Sequence, residues 1–88
     1  MIKVEKIDEG TFKVVVKDAA TTTHTVSVSP EYYEKLTGGR VNTETLVEKS
    51  FEFLLEREPN TSILSMFDLP VIGRYFPEYE GTIKKTLG

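Results

Sequence analysis

Phe12-Lys13-Val14-Val15-Val16-Lys17-Asp18-Ala19-Ala20-Thr21-Thr22-Thr23-His24-Thr25-Val26-Ser27-Val28 is the segment that sets the architecture of this chain. In its first half Phe12, Val14 and Val16 alternate with Lys13, Val15 and Lys17. In its second half His24, Val26 and Val28 alternate with Thr23, Thr25 and Ser27. A period of two residues sends one set into a core and the other toward water, the pattern of a strand covered on one side. Asp18-Ala19-Ala20 is too short for a crossover, so the two strands pair antiparallel. Upstream, Ile2 and Val4 alternate with Lys3 and Glu5, and Asp8-Glu9-Gly10 makes a second tight connection in which Gly10 can supply a positive φ. The reading is a three-stranded antiparallel meander over about 2–7, 12–18 and 22–28. Its single apolar face needs a cover, and only the helices that follow can provide one.

Ser29-Pro30-Glu31 opens a first helix over about 30–37: Ser29 caps, Pro30 suits the first helical position, and Glu31 sits at the positive end of the dipole. Gly38-Gly39 ends it. Asn42 or Thr43 caps a second helix over about 43–58, which Pro59 stops. Around that helix Leu46, Val47, Phe51, Phe53, Leu54 and Leu55 cover an arc of roughly 200° at 100° per residue, leaving Thr45, Glu48, Lys49, Glu52 and Glu56 as a polar stripe. Such an arc exceeds what one sheet face requires. Burial on two sides is expected, with the C-terminal segment or another subunit as the second cover. The last thirty residues read as short helices at about 61–67, 69–75 and 77–86. The first is capped by Asn60 and carries Ile63, Leu64, Met66 and Phe67. The second is capped by Asp68 with Pro70 early. The third is opened by Pro77 and closed by Lys84-Lys85. Residues 1–88 therefore form one α+β domain.

Eighty-eight residues bury a small core, and the chain has no cysteine, hence no disulfide and no thiolate metal site. The opening Met-Ile-Lys-Val-Glu-Lys does not read as a signal peptide, and no apolar run reaches the ~18 residues of a membrane span, which points to a cytoplasmic protein. Positive and negative charges balance in residues 1–28 and again in 59–88. The net charge of −3 comes from residues 30–58, where seven Glu face four Lys/Arg. Binding to nucleic acid draws on Lys and Arg against phosphate, and no basic stripe exists here, so it is not expected.

Chemistry-bearing residues are few. His24 is the only histidine and sits in a strand, without the nucleophile and orienting carboxylate a catalytic base requires and without a second nitrogen or sulfur ligand for zinc. Gly38-Gly39-Arg40 lacks the spacing and the Lys-Ser/Thr pair of a phosphate loop and reads as a helix stop. Glu48, Glu52 and Glu56 share one helix face, but on the polar stripe they are solvated rather than poised for acid–base work. No catalytic, cofactor-binding or metal-ligating residue is assigned. The richest segment is 66–79, where Phe67, Arg74, Tyr75, Phe76 and Tyr79 crowd together. Aromatics and Arg are the residues enriched in interface cores, and these five are the candidate interaction surface.

From Thr25-Val26-Ser27-Val28-Ser29-Pro30-Glu31-Tyr32-Tyr33-Glu34-Lys35-Leu36-Thr37-Gly38-Gly39 through Thr43–Glu58, the chain resembles the ribbon–helix–helix family of dimeric DNA-binding regulators and antitoxins: a short strand, a capped first helix, a Gly turn, and a helix ending Phe-Leu-Leu-Glu-Arg-Glu. The resemblance implies a strand that reads the major groove. By alternation its reading positions are Thr23, Thr25 and Ser27, none of them basic. The two strands before it also have no place in the minimal subunit of that family. With its Phe-Leu-Leu-Glu-Arg-Glu and Arg-Tyr-Phe-Pro-Glu-Tyr stretches the whole chain is also similar to a group of small bacterial α+β proteins, a likeness that implies no activity. The expectation is a non-catalytic interaction or regulatory module with a protein partner or a second copy of itself. A ribbon–helix–helix regulator is the alternative. A small enzyme is the third reading, for which no site assembles.

Overall fold

The computed structural model describes residues 1–88. The meander forms as the alternation predicts, within a residue of the expected bounds: β1 (Ile2–Asp8), β2 (Thr11–Lys17) and β3 (Thr21–Ser27), paired antiparallel in order. Phe12, Val14 and Val16 on β2 and His24 and Val26 on β3 are buried, as is Val28 just beyond it, while Lys13, Lys17 and Thr23 are exposed. Gly10 has a φ of 80°, and a Cβ there would stand 3.1 Å from the Val28 carbonyl oxygen. The Val28 amide donates to the Gly10 carbonyl at 2.8 Å, so the hairpin tip is pinned where a side chain does not fit. Gly10→Ala is expected to cost about 1–3 kcal/mol, read as a lower denaturant midpoint. An unchanged midpoint would contradict this account of the turn.

Helix α1 (Pro30–Thr37) starts as read: the Ser29 hydroxyl accepts the Tyr32 amide at 3.1 Å, Pro30 is the first helical residue, and Gly38, with a φ of 61°, closes the last turn. The cap of α2 (Thr43–Leu55) is Asn42, whose side chain accepts the Thr45 amide at 2.8 Å. This helix stops three residues before the expected Glu58. The residue preceding a proline is driven out of the helical region, and the Arg57 and Glu58 amides double back to the Leu54 carbonyl, each at 2.9 Å.

The segment expected as a helix over 61–67 folds otherwise. A single 3₁₀ turn at Asn60–Ser62 leads to a short strand, β4 (Met66–Asp68), which pairs parallel with β3. The sheet thus has four strands in the order β1-β2-β3-β4 and is mixed. Helices α1 and α2 supply the crossover that two parallel strands demand. The local spacing of Ile63, Leu64, Met66 and Phe67 is helical, but non-local bonds prevail: Thr25 N–H donates to Ser65 C=O at 2.8 Å and Leu69 N–H to Ser27 C=O at 2.9 Å. Two more helices complete the chain, α3 (Val71–Tyr75) and α4 (Tyr79–Leu87). Asp68, expected to cap the first of them, lies in β4 instead, its carboxylate taking the Ser27 hydroxyl, and α3 begins without a side-chain cap.

The wide apolar arc of α2 is filled within the chain. One side lies against the sheet and the other against α4, whose Tyr79 and Ile83 are buried with Leu46, Val47 and Phe51. Each such side chain contributes roughly 1.5–3 kcal/mol on burial. No second subunit is needed to cover this helix. Nothing covers the far side of the sheet, where Lys3, Glu5, Lys13, Lys17, Thr23 and Met66 meet solvent. No helix is long and apolar enough to cross a membrane.

Helix α4 is tied to α1 by a charge-assisted bond: Tyr32 Oη donates to Glu80 at 2.9 Å, and Lys35 Nζ lies 3.2 Å from the same carboxylate. The Tyr32 hydroxyl, with Lys35 beside it, holds the Glu80 carboxyl below its ordinary value of 4.5. A carboxyl depressed in the folded state adds stability above its unfolded pKa and loses that contribution as pH falls through the folded one. Acid titration is therefore expected to weaken the wild type below about pH 4.5, and Tyr32→Phe is expected to flatten that slope. Identical acid limbs in wild type and variant would contradict this. The bond is partly solvated and is worth about 1 kcal/mol.

Candidate functional site

The five residues of the expected interaction surface separate on folding. Tyr79 is fully buried. Its ring packs edge-on against Phe53 at 5.2 Å, and its hydroxyl meets Ser50 Oγ at 2.6 Å. Ser50 Oγ already donates to Leu46 C=O at 2.7 Å, so the tyrosine is the donor. Burial pushes the Tyr79 phenol well above its ordinary value. Phe67 is also a core residue, 6.0 Å from Phe51 between ring centres. These two side chains are inside because β4 turns one face to the helices and α4 needs a large group against α2. Phe76 is half-buried, edge-on to Phe53 at 6.0 Å. Arg74 and Tyr75 are outside, Tyr75 at 67% exposure.

What remains on the surface gathers around a groove of about 250 Å³ between the end of α2, the 59–66 segment and α3. Its walls are apolar, with Leu54, Ile63, Leu64, Val71, Tyr75 and Phe76 among the lining residues and Glu58 the only charged one. Drug-sized ligands occupy pockets of roughly 300–1,000 Å³, so this groove suits one or two side chains of a larger partner. Behind the lining residue Phe76 lies Phe53, on which Arg57 sits: its guanidinium lies 3.5 Å from the Phe53 ring centre, donates to Phe53 C=O at 3.0 Å and pairs with Glu78 at 3.1 Å. A backbone hydrogen bond of its own, and then that pairing, hold the Glu78 carboxyl below the usual range.

Five large apolar side chains are exposed in the chain: Met1, Ile7, Leu64, Met66 and Tyr75. Three of them flank β4 or α3. Leu64 and Met66 are additions to the expected surface of Phe67, Arg74, Tyr75, Phe76 and Tyr79: the sequence places both in a helix over 61–67, whereas the segment is extended. By the alternation of the parallel ladder, Phe67 is the β4 residue whose backbone bonds β3. The N–H and C=O groups of Met66 and Asp68 therefore point to the free edge of the sheet.

His24 is 2% exposed and belongs to a structural network. Leu64 C=O can only accept, so Nδ1–H is the donor at 2.8 Å, and Nε2 accepts the Thr22 hydroxyl at 2.8 Å. Thr22 Oγ1 in turn accepts from Asn60 Nδ2 at 3.0 Å. The ring carries no carboxylate partner, and it lines neither the apolar groove nor the polar depression beside the β1–β2 hairpin. Asn60 thus acts as a donor into the β2–β3 hairpin, to Ala20 C=O at 2.9 Å, rather than as a helix cap. No three His, Asp or Glu side chains converge as metal ligands do.

A second depression, of about 700 Å³, is polar and lies between the β1–β2 hairpin and the starts of α1 and α2. Its polar side chains are largely engaged within the chain: Lys6 with Glu9, Ser27 with Asp68, and Tyr33 with Val41 C=O. Thr23, Thr25 and Ser27 lie on the outer sheet face, Lys13 opposite Thr25, and β3 is flanked on both sides by β2 and β4. No family model, curated protein or solved structure matches the chain.

Proposed function

We propose that the protein is a non-catalytic interaction or regulatory module that docks a protein partner on the surface formed by β4, α3 and the groove beside them. The observation that carries this reading is that exposed Leu64 and Tyr75 line an apolar groove beside an open strand edge, on which Met66 is exposed as well. An exposed apolar groove marks interaction sites in small proteins, and an edge strand is a template for another chain. A photoreactive phenylalanine analogue in place of Tyr75 tests it in cells. A light-dependent covalent adduct to protein is expected, and a folded protein that yields none would overturn the reading.

The ribbon–helix–helix alternative draws support from the order of elements over residues 25–58. Such a dimer pairs its ribbon strand with a second copy, and β3 has both edges occupied here, so β4 would first have to leave. A DNA complex that weakens steeply with salt would favour it, and no complex at low ionic strength would end it.

A further inference from the structure

We propose that the partner seated on this surface is a second copy of the chain, joined by antiparallel pairing of β4 with β4 about a two-fold axis at Phe67. The proposal rests on the reading of this face as a docking surface. The two edges of the sheet differ in how they are protected. β1 carries Lys3, Glu5 and Lys6 and an irregularity between Lys6 and Asp8, devices that discourage pairing. β4 has no lysine and no bulge, and its outward backbone groups lie at Met66 and Asp68, both exposed.

Those groups are self-complementary. With the axis at Phe67, Met66 of one copy stands opposite Asp68 of the other, and the pair exchanges both of its N–H···O=C bonds. Symmetry repeats the exchange, so every free group of the edge is used. Moving the axis to Asp68 would set two carboxylates face to face, which disfavours that register. The two four-stranded sheets would become one of eight strands with both helical layers on the same side. Each groove, with Tyr75 and Leu64 at its mouth, then faces its counterpart near the axis. Arg74 and Glu58 make no ion pair within the chain, so each copy brings one free cation and one free anion to this region.

Sedimentation equilibrium on the purified full chain, from micromolar to millimolar concentration, tests the pairing with two variants at exposed Met66. Met66→Asp sets like charges opposite Asp68 twice over and is expected to weaken the dimer roughly tenfold. Met66→Lys sets opposite charges there and is expected to keep it. Neither is expected to move the melting temperature of the monomer, since the Met66 side chain is 74% exposed. A wild type that stays monomeric throughout, or a dimer that responds alike to both substitutions, would overturn the proposal. The adduct formed from position 75 separates this failure from that of the docking reading: a product of twice the chain mass agrees with the dimer. A product with a different protein refutes the dimer and leaves the docking surface standing.

Discussion

Tyr79→Ala is expected to lower the unfolding free energy by about 4 kcal/mol, the usual loss for a large core aromatic. An 88-residue domain holds only about 4–13 kcal/mol in all, so the loss removes from about a third of that stability to all of it. The reason lies in where the ring sits. Tyr79 opens α4, fills the space between that helix and α2, and contacts Phe53 edge-on. Its hydroxyl is anchored on Ser50, itself fully buried. Tyr79→Phe keeps the ring and loses one hydrogen bond, with Ser50 still donating to Leu46 C=O, so it is expected to cost about 1 kcal/mol. Thermal melts of the pair check the argument, since each kcal/mol shifts a domain of this size by about 4–8 °C. Equal melting temperatures for the two variants would show that the hydroxyl, and not the packed ring, carries the effect.

His24→Ala is the second large effect, at about 3 kcal/mol. It leaves a cavity beside Phe51, whose ring centre is 5.4 Å away, and it strips the Leu64 carbonyl of its donor. Unlike Tyr79, His24 joins the β-meander to the segment that carries β4. Its loss is therefore expected to loosen residues 59–69 before the rest. Asn60→Ala reaches the same network through Thr22. The double variant should be less destabilised than the sum of the two single ones, by about 0.5–3 kcal/mol. Strict additivity in a double-mutant cycle would mean that the hydrogen-bonded chain from Asn60 to Leu64 does not act as a unit.

Strands β1 to β3, α1 and α2 were readable because each announces itself locally. Alternation sets the faces of the meander, and Ser29, Pro30, Gly38 and Asn42 mark helix ends through bonds to their immediate neighbours. β4 has no such mark. Three residues are too few to show a period, and Ile63, Leu64, Met66 and Phe67 happen to fit a helix. What makes the strand is an edge of β3 that lies some forty residues upstream in the chain. The candidate surface was hidden for the same reason. Composition groups Phe67, Arg74, Tyr75, Phe76 and Tyr79 together, and composition says nothing of direction. The structure divides them, and it adds Leu64 and Met66 because residues 63–68 are extended rather than helical. The sequence leaves the second cover of α2 open between the C-terminal segment and another subunit, since an amphipathic arc records how much is buried and not by what.

The parallel join between β3 and β4 has a consequence for the order of events in folding. The meander and the two capped helices close short loops, whereas β4 can dock only after the chain between Ser27 and Met66 has been drawn in, a slower and entropically costlier step. It is held by a three-residue ladder, the His24 bond and the apolar contacts of Phe67. The amides of Thr25 and Leu69, which span that join, should thus exchange with deuterium sooner than those between β1 and β2. The last piece to arrive is the first to open, and it carries the surface proposed to meet a partner.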